Sequence, residues 1–275
     1  MKLFSFCAFF VIVVLVLSGQ GYAKINPATC AGAWVFSDPG VDILSDISGN
    51  GNDCNIKGKP KWVDGQFGKA IDFDGTDDLI ESPDNDMLDV GTANFSVSAW
   101  LKCAKYDPAE WQAEIIYKFE LAAPRHGYLL GVRGSLDAAN RNKPVFIFGL
   151  GDASGIHMFG TSPINDGIWH HLAVTIDRKN SMILYRDGVL EAQTNIAGYA
   201  NQNENNSKPF NIGSETGTPG RYIKGVIDDV ALFKTVLAPE DIKDLMDFGL
   251  EKIIGGKAVD PSGKLANTWA DIKVR

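Results

Sequence analysis

Short runs of alternating apolar and polar residues constrain the fold of this chain more than any other feature. In residues 95–101 every second side chain is apolar, and residues 172–176 repeat the pattern. Successive side chains of a strand point to opposite faces, so a period of two predicts half-buried β-strands. Residues 144–148 are another strand candidate, and Asp187-Gly188 supplies the turn of a hairpin over residues 182–190. Many such strands predict an all-β protein of the β-sandwich or jelly-roll type.

One short helix is predicted near the C-terminus. Pro239 suits the first helical position, acidic residues follow it, and Ile242 and Leu245 lie on one apolar face. Gly249 is expected to end the helix. Residues 250–275 then form a separate tail, for which docking and disorder both stay open.

The N-terminus has the pattern of a secretory signal peptide over residues 1–23. Lys2 precedes an apolar run over residues 4–17, and small residues stand at Gly21 and Ala23. The run is too short for a membrane span, and the mature chain has no other candidate. We therefore expect an exported domain over residues 24–249, located in the periplasm, at the cell surface or in the medium.

Charge and cysteine content restrict the partners further. The formal net charge is −8 and no basic run occurs, which argues against nucleic acid as a partner. After loss of the leader three cysteines remain, Cys30, Cys54 and Cys103. Export permits one disulfide among them, and the sequence leaves its pairing open. Their spacing matches no zinc site.

Several segments together resemble the bacterial secreted LamG-like jelly-roll domains of the concanavalin A-like lectin/glucanase superfamily. Each segment alone is a weak signal, but they occur in the family's order across residues 31–249. The matching segments are Gly32-Ala-Trp-Val-Phe36, Asp46-Ile-Ser-Gly-Asn-Gly-Asn-Asp53, Phe67-Gly-Lys-Ala-Ile-Asp-Phe-Asp-Gly-Thr-Asp-Asp78, Phe95-Ser-Val-Ser-Ala-Trp100, Gly167-Ile-Trp-His-His-Leu-Ala-Val-Thr175, Tyr185-Arg-Asp-Gly188 and Gly225-Val-Ile-Asp-Asp-Val230. The resemblance implies a two-sheet antiparallel sandwich and, commonly, a structural calcium ion. It does not fix a function, because this fold carries lectins, adhesion modules and enzymes.

A calcium site is predicted where oxygen-bearing side chains alternate in the segment from Asp46 to Asn52. Gly51 allows a tight turn there, as calcium loops require, but Lys57 stands where an EF-hand has its closing Glu. A remote carboxylate must therefore complete the shell. By similarity to the family we favour Asp46, Asn50, Asn52 and Asp228, with Asp77, Asp78 and Asp229 as further candidates. The alternative is an Asx-rich turn without metal.

Ligand binding is assigned to aromatic residues in or beside predicted loops. Residues 105–125 are interpreted as one long loop. Glycan recognition uses exposed aromatic platforms flanked by polar groups. The candidates are Tyr106, Trp111, Tyr199 and Tyr222, with ordinary half-buried packing as the alternative.

Enzyme signatures of the fold are missing from the sequence. Retaining glucanases need two carboxylates about 5 Å apart, carried on one strand as Glu-x-Asp-x-Glu. Glu110 and Glu114 instead have helical spacing, and only Gly155-Ile-His157 resembles a lyase triplet. No catalytic residue is predicted. We expect a non-catalytic module that binds carbohydrate or another extracellular ligand, with a structural or adhesion module binding protein as the alternative and a polysaccharide-active enzyme third.

Overall fold

Two antiparallel β-sheets of eight strands each pack face to face in this protein. The structure, a computed structural model, describes residues 25–104, 107–215 and 221–255. The predicted two-sheet sandwich is confirmed. The leader at residues 1–23 lies outside the described residues, and the domain boundaries stay a prediction.

Sheet A carries the α-helices of the described residues on its outer face. Its strands are β1 (Cys30–Trp34), β4 (Lys61–Asp64), β5 (Lys69–Asp74), β7 (Phe95–Ala104), β12 (Asp166–Ile176), β13 (Ser181–Arg186), β14 (Val189–Asn195) and β16 (Lys224–Phe233). Their spatial order is β14-β13-β12-β7-β16-β5-β4, and β1 pairs with β16.

Sheet B forms the other layer. Its strands are β2 (Ile43–Leu44), β3 (Cys54–Lys57), β6 (Leu79–Ser82), β8 (Gln112–Phe119), β9 (Gly127–Arg133), β10 (Pro144–Phe148), β11 (Ile156–Phe159) and β15 (Phe210–Ile212). Their spatial order is β11-β10-β9-β8-β15-β6-β3-β2.

The main core lies between the sheets, where the predicted alternation places large apolar side chains. Phe95 of β7 packs with its ring centroid 5.3 Å from Tyr128 and 5.6 Å from Phe148 of sheet B. Trp34 of β1 stacks on Phe210 of β15 at 4.6 Å. These aromatic contacts join the two sheets at several points along the sandwich.

The predicted hairpin and the predicted helix are both present. Asp187 and Gly188 have positive φ of 53° and 74°, the backbone that a tight β13–β14 turn requires. Helix α1 (Pro239–Phe248) begins at the predicted proline, and Gly249 follows it with a φ of 76°. The local sequence signals therefore predicted both elements correctly.

A second short helix, α2 (Leu250–Ile254), follows directly, and the sequence analysis did not predict it. Leu250 and Ile254 are buried. The start of the 250–275 tail, for which the sequence left docking and disorder open, is therefore docked on the domain. Residues 256–275 lie outside the described part of the chain. Among the described helices, none has the length and apolar character that crossing a bilayer requires.

Helices α1 and α2 cover the outer face of sheet A, which we call the helix face. A separate apolar cluster forms there between the helices and the outward side chains of the sheet. Its buried members are Ile25, Cys30, Ala33, Ala173, Tyr185, Ala231, Phe233, Leu237, Ile242, Leu245, Leu250 and Ile254.

The structure corrects the interpretation of residues 105–125 as one loop. Strand β8 occupies Gln112–Phe119, and all eight of its residues are buried. The prediction failed because Gln112, Glu114 and Lys118 are residue types that usually face water. Here each one makes polar contacts with other parts of the chain.

The expected disulfide is also not found. No disulfide joins Cys30, Cys54 and Cys103, the three cysteines in the described residues. All three are buried, but Cys30 belongs to the cluster under the helices, whereas Cys54 and Cys103 belong to the core between the sheets. The Cys54 thiol lies 3.5 Å from the carbonyl of Asn52, and burial raises its pKa.

Candidate ligand-binding cleft

The outer face of sheet B, which we call the cleft face, carries its own apolar cluster. Tyr117, Phe119, Leu129, Val145 and Ile147 point away from the core on adjacent strands β8, β9 and β10. Strand alternation produces this arrangement because their sequence neighbours fill the main core. No helix among the described residues covers this cluster.

A cavity of about 330 Å³ lies on this cluster, and we call it the cleft. Its apolar floor comes from the strands, and polar and charged side chains stand around that floor. The lining residues are Trp111, Gln112, Phe119, Leu121, Arg125, Leu129, Arg133, Ile147, His157 and Arg221. Apolar pockets with a few convergent polar groups are typical of small-ligand sites.

Arg133 is held in one orientation at the wall of the cleft. Its guanidinium carbon lies 5.0 Å from the centroid of the Trp111 ring and 5.3 Å from that of Phe159. Its Nε donates to Asp137 at 3.0 Å, and its Nη1 donates to the side-chain oxygen of Gln112 at 3.0 Å. Because stacking and hydrogen bonds act together, this cation is fixed before any ligand arrives.

Arg221 stands between two buried carboxyl groups. Its Nη1 lies 2.8 Å from Oε2 of Glu215 and 3.6 Å from Oε1 of Glu114. Burial, reinforced by the charge of Glu215, raises the pKa of Glu114 well above its usual range, although Arg221 opposes the shift. Within the described residues, Nε of Arg221 and Oε2 of Glu114 have no hydrogen-bond partner.

Arg125 and His157 meet at a single carbonyl oxygen. Nη1 of Arg125 and Nε2 of His157 both donate to Ser154 O at 3.2 Å. Burial lowers the pKa of His157, and the charges of Arg133 and Arg125 lower it further, while Ser154 opposes the shift. Of the carboxylates in the described residues, none lies within ion-pair distance of Arg125.

A second cavity of about 450 Å³ adjoins the cleft and shares Leu121 with it. Its remaining lining residues are Tyr117, Glu120, Ala122, Lys208, Pro209, Asn211 and Glu215. The two cavities follow each other across the cleft face, so the surface has room for an extended ligand.

The four predicted ligand-binding aromatics lie in different places. Trp111 lines the cleft and is 46% exposed. Tyr199 lies in a 3-10 turn away from the cleft, where its carbonyl accepts from Arg178 at 2.9 Å. Tyr222 is half-buried beside Arg221 in sequence, and Tyr106 lies outside the described residues. Only Trp111 of these is a lining residue of the cleft among the described positions.

The predicted calcium loop is a closed hydrogen-bonded turn. The carboxylate of Asp46 accepts from the backbone N–H groups of Ala33, Ser48 and Asn52 at 2.9–3.1 Å. Asn50 and Asn52 turn their amide nitrogens, not their oxygens, toward the carbonyl of Ala31. These contacts anchor the loop to β1 and engage the carboxylate of Asp46, whereas the buried Oδ1 of Asn52 has no hydrogen-bond partner among the described residues.

Asp228 and Asp229 are bound elsewhere, on the outer side of β16. Oδ2 of Asp228 accepts from the N–H of Phe67 at 2.9 Å, and Oδ2 of Asp229 accepts from the N–H of Leu250 at 2.7 Å. Burial raises the pKa of Asp228 to about 6. Burial and the neighbouring Asp228 raise that of Asp229 to about 7. The contacts of these residues do not connect them to the Asp46 loop.

Asp77 and Asp78 are the predicted ligands that the structure does bring together. With Asp74 they place one carboxylate oxygen each within 4.8 Å of the others. Oδ1 of Asp78 accepts from the N–H of Lys59 at 2.7 Å, and burial raises the pKa of Asp78. Among the described residues this is the grouping of three carboxylates close enough to share one cation, and it includes neither Asp46 nor Asp228.

Sequence reasoning missed the cations of the cleft, Arg125, Arg133 and Arg221. Arg133 ends an apolar strand, and Gly127–Arg133 carries no sign that its last residue stacks on Trp111. The sequence did contain one signal: the polar Gln112 and Glu114 alternate with apolar residues in the segment that is β8. Such alternation predicts a strand with one polar face.

Comparison with known proteins agrees with this architecture. The sequence model of the Laminin_G_3 family, described as the concanavalin A-like lectin/glucanases superfamily, matches residues 74–243. No curated protein matches the sequence.

Solved structures with the same fold include the binding domain of Paraclostridial mosquitocidal protein 1, with a TM-score of 0.65 and 15% identity over 80% of this chain. The binding domain of botulinum neurotoxin DC, in complex with rat synaptotagmin II, gives 0.63 and 16% over 80%. The serotype G binding domain gives 0.63 and 16% over 79%. This chain covers 52%, 52% and 50% of those structures, so it spans about half their length.

Proposed function

The chain belongs to the concanavalin A-like lectin/glucanase superfamily, and we propose that it is a non-catalytic binding module whose ligand occupies the cleft on sheet B. The observation that carries the proposal is the contrast between the two outer faces. Helices α1 and α2 cover the face of sheet A, whereas the face of sheet B carries two adjoining cavities. The structural neighbours are themselves binding domains, which supports a binding role.

The state of the carboxyl groups supports binding over catalysis. Glycosidases need two carboxyl groups that can both reach the sugar. Glu114 is fully buried, and Glu215 is 3% exposed and paired with Arg221 at 2.8 Å. Neither group lines the cleft itself. In the adjoining cavity Glu215 is paired with Arg221, and Glu120 is paired with Lys208 at 3.0 Å, so both lining carboxylates there are engaged in ion pairs.

Carbohydrate is the ligand that the cleft suits best. Trp111 offers a partly exposed ring at the cleft, and Gln112 and the arginines offer hydrogen-bond donors around an apolar floor. Sugars present apolar ring faces and polar edges, which match such a surface.

An extracellular protein is the second candidate. One neighbour with the same fold was solved in complex with a protein, rat synaptotagmin II. The leader-like residues 1–23 support export of the module in either case.

Calcium remains part of the proposal at a different position. The backbone N–H groups that donate to the Asp46 carboxylate argue against a metal at that carboxylate, although Oδ1 of Asn52 stays without a partner among the described residues. The grouping of Asp74, Asp77 and Asp78 supports a cation there instead. A cation at this point would neutralise three crowded carboxylates and join the end of β5 to the start of β6. It would lie outside the cleft.

The test is a glycan array read in parallel with a capture assay against extracellular proteins. We expect saturable glycan binding that Trp111→Ala abolishes and Phe248→Ala preserves. Phe248 is a matched control because it is 44% exposed and stacks with Lys252 at 4.4 Å, but it lies on the helix face. Specific capture of a protein with no glycan binding would favour the second candidate. Binding that survives Trp111→Ala would contradict the cleft as the site.

A further inference from the structure

We propose that the cleft recognises an acidic glycan, an oligosaccharide whose sugars carry carboxylate or sulfate groups. This inference rests on the proposed function and specifies the ligand of the same site. Three arginines and no carboxylate line the cleft. An anionic sugar would make charge-assisted hydrogen bonds with these guanidinium groups that a neutral sugar cannot make.

Neighbouring acids outside the lining offset only part of the positive charge of the cleft. Asp137 offsets Arg133, and Glu215 offsets Arg221. Glu114, the remaining acid near Arg221, is fully buried, and burial raises its pKa well above the usual range. Arg125 forms no ion pair in the described part of the chain, so its guanidinium group remains available to a ligand. At longer range its charge contributes, after the backbone N–H groups of Gly155 and Ser154, to lowering the pKa of Asp152. The chain as a whole is acidic, with a formal net charge of −8, which makes this positive site a local exception.

One buried donor gives independent evidence for a ligand. Arg221 lines the cleft and is 7% exposed, yet its Nε has no hydrogen-bond partner in the described structure. A buried donor without a partner is destabilising, and more so when the group is charged. An anionic oxygen in the cleft would supply the missing acceptor.

Contacts within the protein already hold two further cationic groups in position. Arg133 is stacked between Trp111 and Phe159, and Arg125 is fixed on the carbonyl of Ser154. Planar guanidinium groups bind carboxylate and sulfate oxygens through paired hydrogen bonds. Trp111, which holds Arg133, also presents the ring against which a sugar would stack. The same residue would therefore couple recognition of the charge to recognition of the sugar ring.

The experiment compares acidic oligosaccharides with neutral forms of the same sugars. Hexameric oligouronates and sulfated hexasaccharides are titrated into the full chain by calorimetry, beside methyl-esterified oligouronates, which keep the sugar and lose the charge. We expect binding of one acidic class, at least a tenfold loss on esterification or desulfation, and a fall in affinity with increasing salt. Whether carboxylate or sulfate binds identifies the source of the anionic group.

Variants locate the effect in the cleft. Arg125→Gln should weaken binding of the acidic hexamer at least tenfold, with Arg125→Lys intermediate. Lys243→Gln removes the same charge from an exposed position of α1 and should leave binding unchanged. Circular dichroism and the melting temperature of each variant check that the fold is intact.

The outcomes separate this inference from the proposed function. Equal binding of esterified and acidic forms, abolished by Trp111→Ala, would overturn the acidic ligand and leave the cleft as a neutral glycan site. Acidic binding that Arg125→Gln does not change would also overturn it. Capture of a protein with no glycan bound would overturn both the acidic ligand and the carbohydrate assignment.

Discussion

The two outer faces of the sandwich both carry apolar side chains, but they differ in what covers those side chains. Each sheet turns one set of apolar side chains toward its partner sheet and another set outward. On sheet A, the outward set packs under α1 and α2. On sheet B, the outward set forms the floor of two cavities, and charged residues surround it.

The difference separates a face where apolar burial stabilises the fold from a face with cavities, where we propose that the ligand binds. The helix face contains apolar residues from the helices, such as Ile242 and Leu245, packed directly on the sheet. On the cleft face, Arg133 and Arg221 line a cavity together with apolar side chains. The predictions below begin with the largest effect expected from this difference.

Shortening a helix residue should cost the most stability. Ile242→Ala removes a fully buried side chain on the helix face, and we expect the free energy of unfolding to fall by about 2–5 kcal/mol. Urea unfolding measures this, with Lys243→Gln on the exposed side of α1 as the control, expected within about 0.5 kcal/mol of the parent. A loss below about 1 kcal/mol for Ile242→Ala would mean that the helices contribute little to the sandwich.

The buried acids of the helix face should make stability depend on pH. The pKa of Asp228 is raised to about 6 and that of Asp229 to about 7, from an ordinary value of 3.8. The folded chain therefore holds these protons to higher pH than the unfolded chain does. This contribution to stability is fully present below about pH 4 and is lost as the pH rises through 6 to 7.

Asp229→Asn tests that pH dependence directly. Asn keeps an acceptor for the N–H of Leu250 and tolerates the positive φ of 47° at this position. We expect the variant to gain about 1–3 kcal/mol at pH 8 and to lose part of the dependence between pH 4 and 7. Asp247→Asn, exposed on α1, is the control. A variant less stable than the parent at pH 8 would indicate that a cation or another donor neutralises Asp229.

A substitution on the cleft face should change the affinity for the ligand more than it changes the free energy of unfolding. Trp111→Ala should weaken ligand binding at least about tenfold, or about 1.4 kcal/mol, because aromatic residues at the centre of a site contribute strongly to affinity. Its effect on the free energy of unfolding should be smaller than that of Ile242→Ala, since Trp111 is 46% exposed. Paired calorimetry and urea unfolding measure both quantities. A large loss of stability with unchanged affinity would reverse the assignment of the two faces.

Calcium should have the smallest effect. At about five times its dissociation constant, an ion at Asp74, Asp77 and Asp78 would add about 1 kcal/mol to stability. The melting temperature should then fall by about 2–4 °C on chelation. Asp77→Asn should remove this sensitivity, and Asp38→Asn, an exposed control, should keep it. If the chelator leaves the melting curve of the parent unchanged, the three aspartates are turn residues only.

Local patterns explain what the sequence could predict. The alternation over residues 95–101, the Asp187-Gly188 turn and the Pro239 start of α1 each depend on a few adjacent residues, and all three are present. The family resemblance added the two-sheet architecture. These features are encoded where they occur, so they can be recognised without knowledge of distant contacts.

The missed features depend on residues far apart in the chain. Strand β8 buries Glu114 and Lys118 because Arg221, Asp84 and Asp89 supply their partners. At Asp46 the sequence predicts a calcium loop, and it gives no sign that the carboxylate accepts from the backbone N–H of Ala33. Sequence indicates which groups need partners, and only the fold determines which partners they find.

Mapping the ligand by NMR tests the central claim most directly. The ¹⁵N-labelled chain is titrated with the tightest-binding hexameric oligouronate or sulfated hexasaccharide, and the backbone amide shifts are followed. We predict changes concentrated on β8–β11 around Trp111, Arg125, Arg133 and His157, with the amides of α1 and α2 unchanged. Shift changes centred on the helices, or on Asp74–Asp78, with the cleft unaffected would contradict the assignment of the ligand to sheet B.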